Sequence, residues 1–536
     1  MSIAKVFSAQ PGAIEAKLVS VETDTSVGIF NFTIVGLAGK DVDEAKDRVP
    51  AAIKNALKEL DIKSPKAENR RIVTSLSPAS IKKEGSQFDL PIAISYLVAV
   101  GEIEVEKTFL KESLFIGELS LSGEVLPISG ALSVALLAKQ KKIKNIFLPE
   151  ENKLEAALVP DLNIYPVNNL QQLVKFFLEL DEDGTENIQK QNYIENVNSN
   201  IPLSNGEGQG ERVSNAFDYV IGQELAKRAL LIAAAGGHNI ALFGPPGTGK
   251  TMLAKAFRDI LPPLTREEML EVTGIHSYAG ILQNTIVTEP PFRSPHHTAS
   301  NISILGGGAN LRPGEITLAH RGVLFLDEFP EFERETIEAL RQPLEDGEVT
   351  VTRAKGSVKY PAQIMLVAAL NPCPCGYRGS KVKECICKPT DLERYKRKIS
   401  GPIIDRIDLW VEVSHIPHED FKKKSPARPA GVSTPLSKGV PKTDPKSQIL
   451  AARNLQEKRH KHKLNAHIKN KDLEKMEVDD EAENLWIDLA KKFSLSPRSM
   501  QRVKKVARTI ADLDNSETVT TKHILESFQY RPKIHE

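Results

Sequence analysis

Cysteine is scarce in this chain, and where it occurs it is concentrated in one place. Only four of the 536 residues are cysteines, and all four lie between Cys373 and Cys387. This distribution argues against the kind of disulfide framework that stabilises small secreted proteins. It fits a local metal site or a redox cluster instead.

Long apolar runs are also missing. No stretch approaches the roughly 20 apolar residues that a membrane-spanning helix requires, and residues 1–6 lack the architecture of a signal peptide. We therefore expect a cytoplasmic protein with no membrane partner. An excess of charge of one sign is absent too, because 71 Lys and Arg face 70 Asp and Glu, for a net charge of +1. Any contact with nucleic acid must come from local basic patches.

The composition, with 40% hydrophobic and 26% charged residues, is that of a globular protein. The length exceeds what one hydrophobic core supports. Residues 1–178 alternate strand-like and helix-like stretches, which predicts an α/β domain. Residues 179–215 are rich in Asn, Gln, Glu, Gly and Ser, which predicts a linker.

The second half of the chain predicts two more domains. Residues 216–414 return to alternating strands and helices and carry signals for phosphate binding. Residues 415–446 are polar and rich in Pro and Lys, which predicts a long loop. Residues 447–536 are helical in character. The fold class is therefore α/β with a helical C-terminal domain.

A glycine-rich loop follows an apolar strand at 239–243 and precedes a helix-like stretch at 252–257. This order is the context in which a phosphate-binding P-loop functions, with main-chain N–H groups and the helix N-terminus facing the phosphates. Lys250 would neutralise the β- and γ-oxygens of ATP and Thr251 would ligate Mg²⁺. A chance loop of this spacing is the alternative. The residues expected to bind the nucleotide are Gly244, Pro245, Pro246, Gly247, Thr248, Gly249, Lys250 and Thr251.

Two more apolar strands end in polar side chains. The strand 323–326 leads into Asp327 and Glu328, and the strand 364–370 leads into Asn371. ATP hydrolysis needs one carboxylate for the hydrated metal and another to polarise the attacking water, and an amide can bond the γ-phosphate. The alternatives are a solvated acidic turn and a turn asparagine.

The segments between these strands resemble those of one particular group of P-loop proteins. Residues 293–298, 306–308 and 312–316 resemble the helix-2 insert of the magnesium-chelatase group of AAA+ proteins. Residues 348–360 form two alternating segments around an Ala-Lys-Gly-Ser turn and resemble the pre-sensor hairpin of the same group. Over nearly its whole length, the chain resembles the magnesium-chelatase-like YifB/ComM family.

This resemblance implies an architecture and a function. The architecture is an AAA+ P-loop core with a parallel sheet, an N-terminal Lon-protease-like (ribosomal S5-type) α/β domain and a C-terminal α-helical lid. The function is that of a hexameric, ATP-driven motor. In the ComM members it is a helicase that promotes DNA branch migration in homologous recombination or natural transformation.

The resemblance also assigns roles to individual residues. Asp327 and Glu328 match the Walker B pair, with Asp327 on Mg²⁺ and Glu328 in catalysis. An arginine finger stabilises transition-state charge in a neighbouring subunit, although a lone arginine near acidic residues is more often an ion pair. The family also has a segment that packs on the adenine base, and the alternative for the residues that match it is the start of a helix. Asn371 matches sensor 1, Arg406 matches the arginine finger and Arg498 matches sensor 2. Ile221 and Gly222 match the segment that packs on adenine.

The N-terminal domain lacks the residues of a Lon-type protease. Proteolysis of this type requires a serine nucleophile activated by a desolvated lysine. Residues 117–128 resemble a strand pair of the Lon protease domain, but residues 129–135 after it contain no lysine. The segment that resembles the nucleophile loop, 84–90, lacks the usual small residues around its only serine, Ser86. We expect a non-proteolytic scaffold or a DNA-handling module.

The four cysteines directly follow sensor 1. Four thiolates can complete a closed tetrahedral zinc site, so a structural Zn²⁺ is expected. Reduced thiols or a labile disulfide are the alternatives. The candidate ligands are Cys373, Cys375, Cys385 and Cys387.

Basic residues of the hairpin are the candidates for DNA binding. If a ring encloses branched or single-stranded DNA, Arg353, Lys355 and Lys359 could bind phosphates without sequence preference. A solvated hairpin tip is the alternative. The basic run 458–463 is a second candidate, or an exposed helix face.

Three functions from different classes follow from the sequence. A nucleic-acid motor is favoured by the resemblance over the whole chain. The ATPase subunit of a metal-chelatase complex shares the core but normally lacks the Lon-like domain. An ATP-dependent protease is disfavoured because the serine–lysine dyad is missing.

Overall fold

The computed structural model describes residues 3–13, 15–179, 217, 219–282, 286–308, 311–353, 356–379, 383–415, 444–461, 463–473 and 476–531. The chain divides into two compact units. The first comprises Met1–Gly208 with Thr265–Thr288, and the second comprises Gln209–Leu264 with Glu289–Glu536. The predicted linker and the predicted loop at 415–446 fall almost entirely outside the described residues. None of the described helices is long and apolar enough to cross a membrane.

A mixed β-sheet forms the centre of the first unit. The strands in this part of the chain are β1 (Ile3–Gln10), β2 (Lys17–Val27), β3 (Asn31–Val35), β4 (Arg70–Ser77), β5 (Ser113–Phe115), β6 (Glu118–Leu119), β7 (Val125–Leu126), β8 (Asn145–Pro149) and β9 (Asn163–Val167). The seven-stranded sheet has the order β3-β4-β2-β1-β5-β8-β9, and β6 and β7 form a separate two-stranded sheet. β1 and β2 are antiparallel, and burial alternates along β2 because one face packs on the core.

Helices pack on this sheet. They are α1 (Lys40–Asp43), α2 (Ala45–Ala56), α3 (Asp89–Val100), α4 (Lys107–Lys111), α5 (Ala131–Gln140), α6 (Lys153–Ala156) and α7 (Leu170–Glu179). Residues 89–97 of α3 are all buried, as expected for a helix that is apolar on every face. The one carboxylate among them, Asp89, is held by Arg48, whose Nε lies 2.7 Å from Asp89 Oδ2. A buried charge of this kind requires such a partner.

A parallel sheet forms the centre of the second unit. The strands here are β10 (Ile240–Phe243), β11 (Phe292–Arg293), β12 (Gly306–Gly307), β13 (Arg312–Pro313), β14 (Val323–Leu326), β15 (Glu348–Arg353), β16 (Gly356–Pro361), β17 (Met365–Leu370) and β18 (Leu409–Glu412). The five-stranded sheet has the order β11-β14-β17-β10-β18, and every neighbouring pair is parallel. The predicted strand 323–326 is confirmed, and the other two predicted strands each begin one residue later. Because the strands are parallel, the carboxyl ends of β10, β14 and β17 meet at one edge of the sheet.

The helices of the later part of the chain join the C-terminal residues to this sheet. They are α8 (Glu224–Gly236), α9 (Lys250–Ile260), α10 (Arg266–Tyr278), α11 (Asn301–Leu305), α12 (Glu315–Leu318), α13 (Arg334–Ala339), α14 (Arg341–Asp346), α15 (Pro389–Lys396), α16 (Gly401–Ile404), α17 (Pro445–His460), α18 (Asn470–Leu473), α19 (Asp480–Lys492), α20 (Pro497–Leu513) and α21 (Thr521–Gln529). One hydrophobic cluster contains residues of α8, α9, the sheet, α17 and α20. The C-terminal helices therefore share a core with the parallel sheet.

Helix α10 belongs to the first unit, although the sequence predicts 216–414 as one continuous core. The helix begins with a capping box between Thr265 and Glu268. At its other end, the Ser277 hydroxyl accepts a hydrogen bond from the Gly130 N–H at 2.8 Å. Apolar residues of α10, including Met269, Val272 and Ile275, are buried. The chain thus leaves the second unit after residue 264 and returns to it at residue 289.

Candidate active site

The loop between β10 and α9 depends on its glycines. Gly247 has φ +79° and Gly249 has φ +91°, which are left-handed values that side chains with a Cβ rarely adopt. A Cβ at Gly244 would collide with the carbonyl oxygen of Val413 at the end of β18. Glycine is thus required at Gly247 and Gly249 by the positive φ angle, and at Gly244 by the lack of space for a Cβ.

The ammonium group of Lys250 joins the ends of two strands. Its Nζ donates hydrogen bonds to the carbonyl oxygens of Gly244 and Pro245, at 2.7 and 2.9 Å, and to Oδ1 of Asn371 at 3.1 Å. Burial lowers the pKa of Lys250, while two nearby carboxylates act in the opposite direction. The structure therefore brings the predicted P-loop lysine and the predicted sensor 1 asparagine together.

The hydroxyl of Thr251 joins the P-loop to the end of β14. Its Oγ1 donates a hydrogen bond to Oδ2 of Asp327 at 2.9 Å. Hydroxyl and carboxylate oxygens are hard ligands of the type that Mg²⁺ prefers. The residues present therefore fit a magnesium ion bound together with a triphosphate.

Glu328 lies beside this pair with its side chain turned toward solvent. Its backbone has φ +50°, and 54% of its side chain is exposed. Nδ1 of His297 lies 3.4 Å from Oε2 of Glu328. In the sequence, the segment 293–298 serves as a family signature, and nothing in it indicates that His297 is a partner of Glu328. The order of the sheet explains the contact, because β11 runs beside β14 and delivers His297 next to Glu328.

Glu345 holds both of the arginines that the sequence singles out. Arg406 is only 7% exposed, and its guanidinium donates to the carbonyl oxygen of Pro402 at 2.7 Å and forms an ion pair with Glu345. Nη2 of Arg498 lies 3.6 Å from Oε1 of Glu345 and remains 69% exposed. The hydrogen bond from Arg406 is the main cause that keeps the pKa of Glu345 below its usual range. An ion pair was the alternative expected for Arg406 from its acidic neighbours in the sequence, but the partner, Glu345, lies 61 positions earlier in the chain.

A buried carboxylate connects helix α20 to the sheet. Asp408 lies 2.9 Å from Nη1 of Arg502, 3.2 Å from the main-chain nitrogen of Asn239 and 3.3 Å from Nδ1 of His238. Burial alone would raise the pKa of Asp408, but Arg502 and these hydrogen bonds keep it below its usual range. This network positions the start of α20, which carries Arg498, relative to β10.

The predicted adenine-packing segment lies directly before helix α8. Gly222 has φ +62° and Ile221 is partly buried. The next residue, Gln223, donates a hydrogen bond from Nε2 to the carbonyl oxygen of Ser414 at 2.6 Å. This position fits both alternatives, a wall for a base and the start of a helix.

The hairpin predicted at 348–360 is confirmed as two antiparallel strands. β15 and β16 pair from Glu348–Pro361 to Arg353–Gly356. Lys355 and the side chain of Arg353 lie outside the described residues. Lys359 is 70% exposed, with its Nζ 3.4 Å from Oε2 of Glu348. Most of its surface is therefore open to a ligand.

The second basic candidate, 458–463, begins in the last turn of α17. Within it, Arg459 forms an ion pair with the buried carboxylate of Asp512, so its charge is already paired. Lys458, Lys461 and Lys463 are exposed, and His462 lies outside the described residues.

The four cysteines converge on one point. Their sulfur atoms all lie within 4.8 Å of one another, and none forms a disulfide. The distances are 3.4 Å for Cys373–Cys375, 3.7 Å for Cys373–Cys385 and 3.6 Å for Cys375–Cys385. The cluster could hold a metal ion.

In the first unit, Ser86 and the buried Lys83 do not form a dyad. The Ser86 hydroxyl bonds to the carboxylate of Glu118. Lys83 Nζ instead donates to the carbonyl oxygens of Gly36 and Pro78, at 2.8 and 2.5 Å. Burial lowers the pKa of Lys83, but both of these bonds are structural.

A lysine on a glycine loop, a threonine facing a strand-end carboxylate and an asparagine on the next strand meet at one sheet edge, which is how P-loop enzymes bind ATP with Mg²⁺. The class is that of the AAA+ ATPases. Family models agree: "Subunit ChlI of Mg-chelatase" matches residues 21–152, "Magnesium chelatase, subunit ChlI" matches 216–421, and "Magnesium chelatase, subunit ChlI C-terminal" matches 442–531.

Full-length relatives define the family within this class. The chain is 37% identical to competence protein ComM of Haemophilus influenzae over 100% of this chain and 98% of that protein. It is 38% identical to YifB of Escherichia coli over 99% of this chain and 97% of that protein. It is also 27% identical to the magnesium-chelatase 38 kDa subunit of Rhodobacter capsulatus, over 44% of this chain and 68% of that protein. The chain belongs to the magnesium-chelatase-like YifB/ComM family.

Proposed function

We propose that this protein is an ATP-hydrolysing AAA+ ring motor that acts on DNA in the cytoplasm, as a helicase that promotes branch migration. The observation that carries the ATPase part is the junction of three strand ends through Lys250–Asn371 and Thr251–Asp327. The DNA part is supported by the similarity to ComM along the whole chain, the first unit included.

The site residues divide the work of hydrolysis. When bound, Mg²⁺ neutralises phosphate charge, with Thr251 and Asp327 as its protein ligands. Lys250 exchanges its carbonyl partners for phosphate oxygens, and Asn371 orients the γ-phosphate. Glu328 takes up the proton of the attacking water. Arg498 acts on the nucleotide of its own subunit and Arg406 on that of a neighbour in a hexamer.

The first unit, the C-terminal helices and the cysteine cluster support this motor. The first unit is a Lon-like scaffold without proteolysis, because Ser86 and Lys83 each bond elsewhere. The C-terminal helices act as a lid, since α20 carries Arg498 and is fixed to the sheet through Asp408. Zinc is the metal that suits a cluster of four thiolates.

Junction movement is the test of the DNA function. Purified protein with ATP and Mg²⁺ should convert a labelled three- or four-way DNA junction into its products, and DNA should raise ATP turnover several-fold. Turnover that is indifferent to DNA, with no junction movement, would contradict the proposal.

The hairpin lysine should contribute to DNA affinity. Lys359→Ala removes a single phosphate contact, so DNA affinity should fall a few-fold for all sequences and the salt dependence of binding should weaken by about one ion. Fluorescence anisotropy at several salt concentrations measures both effects. Lys396→Ala, an exposed lysine on α15, is the control and should behave as the wild type.

A second candidate function is the ATPase subunit of a metal-chelatase complex. It is favoured by the matching family models, which are described by a magnesium-chelatase subunit. ATP turnover that ignores DNA would favour this candidate. Degradation of an unfolded protein substrate with ATP would instead favour a protease, although Ser86 and Lys83 each bond to other groups.

A further inference from the structure

The geometry of the four sulfur atoms is that of a thiolate metal site. A tetrahedral ion with metal–sulfur bonds of about 2.3 Å separates its sulfur ligands by roughly 3.8 Å. The distances here are 3.4, 3.6 and 3.7 Å. A disulfide would require about 2.05 Å. Main-chain N–H groups also point at the sulfurs, from Cys375 to Cys387 and from Arg378 to Cys373, each at 3.4 Å.

The loop that carries these cysteines lies against the nucleotide site. Gly376 has φ +84°, and a Cβ placed on it would lie 2.7 Å from Cδ of Pro246 in the P-loop and 3.9 Å from Cγ of Asn371. In helix α15, which follows the cysteines in the chain, the Tyr395 hydroxyl donates a hydrogen bond to the carbonyl oxygen of Asn371 at 3.0 Å. The backbone of the cysteine loop therefore lies against the P-loop, and the helix that follows this loop bonds to the main chain of sensor 1.

We propose that a zinc ion in this cluster braces the P-loop, so that metal occupancy sets the affinity for nucleotide. The ion would cross-link residues 373–375 to residues 385–387 and fix the backbone of Gly376 against Pro246. Without the ion, the chain between the two cysteine pairs is no longer cross-linked, and the P-loop loses the contact between Pro246 and the backbone of Gly376. This inference rests on the proposed function, since it assumes that ATP binds at the P-loop.

The experiment measures metal and nucleotide separately. Wild-type protein should contain one zinc per chain by elemental analysis and bind a fluorescent ADP analogue. The double variant C385S/C387S should lose the metal, and its affinity for the analogue should fall at least 10-fold. Stripping zinc from the wild type with a thiol reagent and a chelator should do the same, and zinc added after reduction should restore binding.

Two glycine variants test the contact without disturbing the metal. Gly376→Ala should keep its zinc but weaken nucleotide binding, because the added methyl group meets Pro246. Gly379→Ala is the matched control, since Gly379 also has a positive φ of +76° but its Cβ would meet nothing within 4 Å. Metal-free protein with wild-type affinity, or wild type that contains no zinc, would overturn this inference alone. Zinc-loaded wild type that binds no nucleotide would overturn the proposed function instead.

A second, independent observation concerns the way Glu345 is connected to the hairpin. Glu345 lies on α14, and a single residue, Gly347, separates this helix from β15. The side chain of Gln342 in the same helix bonds to both the main-chain nitrogen and the hydroxyl of Thr350, at 3.2 and 3.0 Å. At the base of the hairpin, the Ala362 N–H donates to the Gly347 carbonyl at 2.7 Å. Helix α14 and the hairpin are therefore joined closely enough to move together.

We infer that Glu345 is a positioning residue through which the hairpin controls Arg406 and Arg498. In the arrangement described, its carboxylate forms an ion pair with a buried Arg406, so the charge of Arg406 is already paired within its own chain. Movement of the hairpin on DNA would withdraw Glu345 and release both arginines. This inference also rests on the proposed function, because it requires hydrolysis that depends on both residues.

The test compares ATP turnover with and without DNA. Glu345→Ala should raise ATP turnover without DNA several-fold, and the ratio of turnover with DNA to turnover without DNA should fall close to one. Glu345→Asp should keep part of the stimulation by DNA. Glu338→Ala, which removes an ion pair with Arg341 at 3.1 Å, should leave both rates unchanged. If Glu345→Ala lowers or preserves the rate without DNA, the inference is wrong. A wild type that DNA does not stimulate would count against the proposed function, and the basal rate of the variant would still decide the role of Glu345.

Discussion

Replacing Lys250 with alanine should abolish ATP turnover. The side chain is buried and bonds to three oxygen atoms around the space expected for the phosphates, so no other described cation stands in its place. Loss of one preorganised charge at a reacting phosphate lowers the rate by roughly 100-fold or more, which is about 2.7 kcal/mol of transition-state stabilisation. Phosphate release under saturating ATP measures the rate, and a fluorescent nucleotide measures the accompanying loss of affinity.

The control for this variant lies on the same helix. Lys255 is exposed on α9, and Lys255→Ala should retain wild-type turnover and affinity. If Lys250→Ala hydrolysed ATP at the wild-type rate, the P-loop would not be the reacting site, and the ATPase assignment of these residues would be wrong.

Replacing Glu328 with glutamine should stop turnover but leave ATP bound. The amide keeps the size of the side chain and loses the base, so only the step that needs proton transfer is affected, by about 10²- to 10⁴-fold. Because Lys250, Thr251 and Asp327 are unchanged, nucleotide affinity should stay within a few-fold of the wild type. Single-turnover hydrolysis and retention of labelled ATP on a size-exclusion column separate the two effects.

Glu331→Gln serves as the matched control. This glutamate lies three positions after Glu328, pairs with Lys398 at 2.8 Å and has 45% of its side chain exposed. It should turn over ATP normally. Rapid hydrolysis by Glu328→Gln would move the role of the base to another residue.

The elements that the sequence predicted well are those whose signals are local. Strands β10, β14 and β17 are short, largely buried apolar runs. The glycine loop follows β10, Asp327 follows β14 and Asn371 follows β17, so both the strand type and the shared edge are indicated by short windows of sequence. The hairpin at 348–360 is also local, because its two strands pair across a short turn. These local features are sufficient to predict that Lys250 and Asn371 lie at the same edge of the sheet.

The features that the sequence did not predict depend on distant parts of the chain. His297 meets Glu328 only because β11 pairs with β14, and no periodicity states which strands are neighbours. Glu345 reaches Arg406 across 61 positions. The apolar residues of α10 indicate that the helix has a buried face, but they do not say that this face belongs to the first unit. Such pairings are fixed by topology rather than by local propensity.

The excursion of residues 265–288 limits how this protein can be divided. A fragment that begins at residue 209 would still contain α10 but would lack the apolar residues of the first unit against which Leu270 packs, and the Gly130 N–H that bonds to Ser277. Apolar surface exposed in this way promotes aggregation. An isolated motor fragment should therefore need residues 265–288 replaced by a short polar bridge, and an isolated N-terminal fragment should need α10 supplied as a peptide or fused to its end.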